Sequence, residues 1–217
     1  MSRLRKERAL AQIRDLVTSG QYPPGKLFSE NELASRLNMS RSPVRDGLAV
    51  LEREGLVERI PQVGVRVRLF SDDDLREVFL MRELLEPRAA ELCGRWASSC
   101  DRVAPVLQEL TEAMHFHAAR GEVSSFLAAD VEFHWQTAAL AGHPLIADVL
   151  RQVGNRIRII GFTSTPDKSS MLTVVEEHRA ILAEISRGAS SQAGEEALRH
   201  INLTRERINK GRGHPIF

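Results

Sequence analysis

Apolar residues recur at helical spacing along almost the whole of this chain, with one short interruption. Leu10, Ile13, Leu16 and Val17 form a stripe that predicts a helix over Arg3–Thr18. Tyr22-Pro23-Pro24-Gly25 then makes a turn cluster. Leu33 and Leu37 predict a short second helix, and Ser29 and Glu32 at its start have capping-box spacing. Val44, Leu48 and Leu51 share one face of a third helix, which Ser40 would cap and Gly55 would end. Asn38-Met39-Ser40 leaves only a tight joint between the second and third helices, with Asn38 suited to a left-handed backbone. The interruption follows. Leu56–Ile60 and Val65–Leu69 read as two strands around Pro61-Gln62-Val63-Gly64. Val65, Val67 and Leu69 alternate with Arg66 and Arg68, predicting one apolar face and one basic face.

From Ser71 onward the strand signals stop. The pattern predicts six helices, at about 72–98, 101–120, 123–142, 144–161, 171–187 and 190–210, with seven as the alternative count. Ser71 and the acidic run Asp72-Asp73-Asp74 suit the start of the first, and Pro87 should kink it. Asp101 and Ser190 have N-cap chemistry, Gly121 and Gly188 mark helix ends, and Thr163–Asp167 reads as a loop. Trp96 and Trp135 are expected in the core. The fold class expected is therefore mainly α. A winged helix-turn-helix with a small β-hairpin wing would occupy residues 1–70, and an antiparallel all-α bundle residues 71–217.

The third helix changes the picture from fold to chemistry. Its apolar face would pack on its own domain, which leaves Arg41 and Arg45 free on its first turns. A helix N-terminus favours anions, and a recognition helix enters the DNA major groove in this way. Taken alone, it is equally an ordinary surface helix with two arginines. Charge distribution leans towards DNA: residues 1–70 carry 13 Lys/Arg against 8 Asp/Glu, and the remainder 17 against 21. Cys93 and Cys100, two helical turns apart, are too distant for a disulfide on one straight helix and read as reduced thiols. The N-terminus lacks the apolar run of a signal peptide, and no apolar stretch is long enough for a membrane span, so a cytoplasmic protein is expected.

The predicted bundle carries a second constellation. Asp130 and His134 are four apart on one helix, while His178 and His200 fall on two neighbouring antiparallel helices. Three imidazoles and a carboxylate that converged would suit a divalent ion such as Zn, Ni, Mn, Co or Fe. Any one of these histidines, taken alone, is more often a hydrogen-bonded or surface residue. Arg82 has two readings, a bidentate clamp on a ligand carboxylate or an i, i+4 surface pair with Glu86. Arg151, Arg156 and Arg158 read as a solvated face.

The segments Pro24-Gly25-Lys26-Leu27, Glu32-Leu33-Ala34, Ser40-Arg41-Ser42-Pro43-Val44-Arg45, Glu54-Gly55-Leu56-Val57 and Gly64-Val65-Arg66-Val67 resemble the N-terminal domain of GntR-family transcription regulators. The resemblance implies a homodimer on a short palindromic double-stranded DNA operator. It implies that Ser40, Arg41, Ser42 and Arg45 contact the operator and that Gly64 sits at the wing tip. Asn31 stands where some members carry a DNA-contacting Arg. Asp46-Gly47 replaces the more usual Glu-Ala, and Gly47 should cost about 1 kcal/mol of helix stability against Ala.

Leu80–Ala90, Asp130-x-x-Phe133-His134, Glu177–Ile181 and His200-Ile201 resemble the FCD effector domain of the FadR subfamily, and six helices would suit its VanR-like branch. That resemblance implies a divalent metal on Asp130, His134, His178 and His200, coordinated in turn by the carboxylate of a small organic acid effector. His143 replaces the Asn found in many such domains.

The reading these features support is a ligand-responsive repressor and not an enzyme. Two alternatives stay in view. A metal-dependent hydrolase would use the same four ligands with an open position, although Glu132, Glu176 and Glu177 are not forced into the site. A metal sensor would have the ion itself as its signal.

Overall fold

The computed structural model describes residues 3–97, 102–164 and 166–212. The chain divides into two compact units, Met1–Phe70 and Ser71–Phe217.

In the first unit, α1 (Arg3–Thr18), α2 (Glu30–Arg36) and α3 (Arg41–Arg53) surround a core of Ile13, Leu33, Val44, Leu48 and Leu51, none of them accessible to solvent. Asn38 has a left-handed backbone (φ 50°), as the tight joint between α2 and α3 requires. Gly55 is left-handed as well and follows the end of α3. Local chemistry differs from expectation at two caps. Ser29 accepts the Glu32 backbone N–H at 3.0 Å, but the Glu32 carboxylate instead accepts the Tyr22 hydroxyl, so only half of the capping box forms. Ser40 occupies the N-cap of α3 without a side-chain hydrogen bond.

The sheet has three antiparallel strands in the order β1 (Leu27–Phe28), β3 (Gly64–Val67), β2 (Val57–Ile60). β1 was not legible in sequence, because two residues are too few to show an alternation. β3 ends at Val67, so Leu69 does not continue the apolar face and is 59% exposed. Arg66 is paired with Glu58, which partly neutralises the basic face.

Gly47 has a packing reason that propensity alone does not reveal. A Cβ built there would lie 2.5 Å from Cδ1 of the buried Ile13, so its absence lets α1 and α3 approach closely.

The second unit contains six helices among the described residues: α4 (Asp72–Ala97), α5 (Val103–Arg120), α6 (Val123–Leu140), α7 (Pro144–Thr163), α8 (Lys168–Ser186) and α9 (Ser190–Arg212). Their core is aliphatic and aromatic, with Cys93, Leu107, Met114, Phe133 and Val175 at its centre. α4 runs unbroken through Pro87. Ser190 is the first residue of α9, not its cap, and its hydroxyl donates to the Glu91 carbonyl of α4 at 2.7 Å. Asp167 caps α8 by accepting the Ser170 N–H, which starts that helix three residues earlier than its apolar pattern suggests. Trp96 is 51% exposed instead of sitting in the core, and Trp135 is half-buried. His143 is the N-cap of α7, which makes it a feature of the helix boundary. Asp101 and Cys100 lie outside the described residues; Cys93 is a buried thiol. Among the described residues no helix is long and apolar enough to cross a membrane.

Candidate functional site

Two sites emerge, one in each unit. In the first, Ser40, Arg41, Ser42 and Arg45 all lie exposed at the N-terminal end of α3, opposite its buried face of Val44, Leu48 and Leu51. A groove of about 400 Å³ runs between Arg41 and the hairpin residues Ile60–Val65, with Glu30 and Asn31 on its wall. Asn31 thus puts an uncharged side chain on that wall. Sequence reasoning missed Arg59. From β2 it reaches Glu30 at 2.7 Å, Glu52 at 3.0 Å and the Arg45 carbonyl at 3.1 Å, tying the hairpin to α2 and α3 at once.

Gly64 is not at the hairpin tip. The tip is Pro61-Gln62-Val63, with Gln62 in left-handed geometry, and Gly64 opens β3 opposite Ile60. Its Cβ would lie 2.7 Å from the Phe28 carbonyl oxygen, and its φ is 150°. The missing side chain serves the approach of β1, a contact within the unit's own sheet.

In the second unit, one donor atom from each of Asp130, His134, His178 and His200 lies within 4.8 Å of the others. α6 supplies Asp130 and His134, α8 supplies His178 and α9 supplies His200. All four are buried. Each histidine spends its Nδ1 outward. His134 Nδ1 lies 3.0 Å from Glu86, His200 Nδ1 2.8 Å from Glu177, and His178 Nδ1 2.8 Å from the Val174 carbonyl. Such acceptors fix the proton on Nδ1 and leave each Nε2 lone pair facing inward. His178 Nε2 is 3.2 Å from His134 Nε2 and 3.4 Å from Asp130 Oδ1. Separations of this size suit donors that share one ion at about 2.1 Å.

The electrostatics point the same way. Burial lowers His178 to about 4, despite the opposing pull of Asp130, and pushes His200 well below its usual range. Neither ring readily supplies the proton that two facing lone pairs would need, so a cation is the natural partner. Burial alone would raise the Glu86 carboxyl, but the Arg82 guanidinium and the His134 ring outweigh it and hold it well below the usual carboxylate range.

Arg82 makes the expected pair with Glu86, but in a different setting. It does pair with Glu86, at 2.6 and 3.1 Å, yet the pair is buried in the centre and not on the surface. Its Nη2 also lies 3.3 Å from His134 Nε2 and 3.5 Å from His200 Nε2. Arg207 holds Glu177 through two bonds of 2.7 and 2.8 Å. The contacts of the outer carboxylates Glu86 and Glu177 with His134 and His200 were not assigned from sequence, since these histidines come from other helices. Of the three arginines expected on a solvated face, Arg151 is exposed and Arg158 is buried.

A winged helix-turn-helix with exposed arginines at the start of α3, followed by a six-helix bundle with a buried His/Asp centre, defines a class, the two-part transcription regulators. Two family models match, "Bacterial regulatory proteins, gntR family" over residues 5–67 and "FCD domain" over residues 77–203. The chain belongs to the GntR family and carries an FCD domain; it is a transcriptional regulator of that type. It is 34% identical over 130 residues to an uncharacterized HTH-type transcriptional regulator of the TAR-I ttuE-ttuC' intergenic region of Agrobacterium vitis, covering 59% of this chain and 76% of that one. It is 29% identical to a probable D-xylose utilization operon transcriptional repressor of Paenarthrobacter nicotinovorans, over 91% of this chain and 87% of that one. In fold it is similar to E. coli McbR/YncC, with TM-score 0.85 and 17% identity over 97% of this chain and 99% of that chain. These families and relatives are named as regulators, not as enzymes.

Proposed function

We propose that the protein is a homodimeric repressor of a palindromic operator. In this reading a small carboxylate metabolite, held at a divalent ion on Asp130, His134, His178 and His200, sets its DNA affinity. The observation that carries the reading is the convergence of three Nε2 atoms and one carboxylate, with every Nδ1 already committed. The centre also contains the carboxylates of Asp130, Glu86 and Glu177 against the guanidiniums of Arg82 and Arg207. With neutral histidines, that set carries one negative charge, and a divalent ion leaves it one positive. An anion is the matching ligand. Zn, Ni, Mn and Co all accept this donor set.

Against hydrolysis stands the commitment of the nearby carboxylates. Glu86 serves Arg82 and His134, and Glu177 serves His200 and Arg207, so neither is placed as a base towards a metal-bound water.

On the DNA side, Ser40, Arg41, Ser42 and Arg45 would make the operator contacts, with the hairpin beside them. The dimer contact we assign to the face of α4 that exposes Leu80, Met81 and Leu84. Ligand would change the separation of the paired recognition helices, and a palindrome has a fixed half-site spacing.

The test is selection of bound sequences from a random DNA pool by the purified full-length protein, followed by titration on the selected site. The expected result is an enriched palindrome, an affinity at least tenfold weaker for Arg41→Ala and Arg45→Ala, and release by an organic acid only in the metal-loaded protein. Release or tightening by metal alone, with no response to acids at fixed metal, would instead make the ion the signal.

A further inference from the structure

Beside the His/Asp centre lies a cavity of about 80 Å³. Its wall is built by Phe126, Leu127, Ile157, Met171, Val174 and Ile208, all apolar. It reaches the centre at Asp130. Several of the polar groups on its rim are already engaged. Arg207 is engaged by Glu177, the Thr204 hydroxyl accepts from Arg207, and the Ser170 backbone N–H is held by Asp167. Ser164 Oγ, which also lines the cavity, is buried and has no hydrogen-bond partner among the described residues.

We propose that the effector is a short-chain aliphatic carboxylate, with a tail of about three carbons in this cavity, and not a polyhydroxylated sugar acid. The inference rests on the metal-held carboxylate proposed above and specifies what that carboxylate is attached to. Size gives the first argument. An apolar cavity of about 150 Å³ accepts benzene, so 80 Å³ suits about half as many heavy atoms. Pairing gives the second. Each hydroxyl of a sugar acid needs a partner, a buried hydroxyl without one is unfavourable, and the apolar residues that make up most of this wall offer none. Burial gives the third, since each methylene placed against this wall strengthens binding about fourfold.

The experiment is calorimetric titration of the Zn-loaded full-length protein with acetate, butanoate and gluconate. Butanoate should bind about 15-fold more tightly than acetate, the gain of two buried methylenes. It should bind at least 100-fold more tightly than gluconate. Ile157→Phe, which fills the cavity from its wall, should erase the preference of butanoate over acetate. Metal-dependent gluconate binding as tight as that of butanoate would overturn this inference while leaving the metal-held carboxylate standing. If none of the three acids binds, or binding is unchanged by chelating the metal, the metal-held carboxylate falls and this inference falls with it.

Discussion

His178 concentrates the chemistry of the bundle in one ring. It is fully buried, its Nδ1 is fixed by the Val174 carbonyl, and its Nε2 faces His134 and Asp130. Burial favours the neutral ring and takes it from 6.5 to about 4. The unfolded chain therefore binds the proton more readily. The stabilisation is complete above pH 6.5 and is lost as pH falls through about 4. We expect unfolding free energy, measured by urea titration across that window, to fall by on the order of 3 kcal/mol. In His178→Gln the slope should be shallower, with His200 supplying the remainder in the same direction. A slope identical in the two proteins would show that this ring is not held neutral by the fold. Of the four inward donors, helical spacing made one pair legible, since four residues put Asp130 and His134 on one face; the joining of His178 and His200 to them was legible only through the resemblance to the FCD domain. Glu86 and Glu177 were not, because nothing local in sequence says that residue 86 meets residue 134 or that residue 177 meets residue 200.

At the scale of elements, the hairpin shows how a small sheet is held in place. The three strands contribute few ladder bonds, and position comes from Arg59, which binds two carboxylates and a carbonyl on α2 and α3. Gly64 supplies the other constraint, a backbone conformation and a close approach to β1 that a side chain would not tolerate. Gly64→Ala should lower the stability of the first unit by about 1–3 kcal/mol, the cost of a strained backbone position, as read by thermal melting of the full-length protein without DNA. A role confined to contacting phosphate would leave that melting unchanged. Helix boundaries were legible to within a few residues, because apolar periodicity, glycines and caps agree. The two-residue β1 was not, and neither were the exposure of Trp96 and Leu69. Side-chain type predicts burial only where the backbone continues the pattern, and both of these residues sit at the end of an element.

The whole molecule is two compact units with separate cores, one read through α3 and the hairpin and the other through the bundle centre. An ion that binds only the folded bundle should stabilise that unit alone. At a hundredfold excess over its dissociation constant the gain is about 2.7 kcal/mol. Calorimetric melting with and without Zn should therefore shift one transition upward and leave the other in place. His178→Gln should lose most of the shift, and so should wild-type protein below about pH 4, where protons compete for the ligands. A rise in both transitions would contradict independent cores.

The bundle also divides its labour among helices. α4 contributes Arg82 and Glu86, which brace the donors, and nothing to the cavity wall, which comes from α6, α7, α8 and α9. Such a separation lets wall and brace change independently by descent. Wall residues can be substituted one at a time, reshaping the cavity, while the helix that braces the centre, and carries the exposed leucines on its outer side, stays as it was.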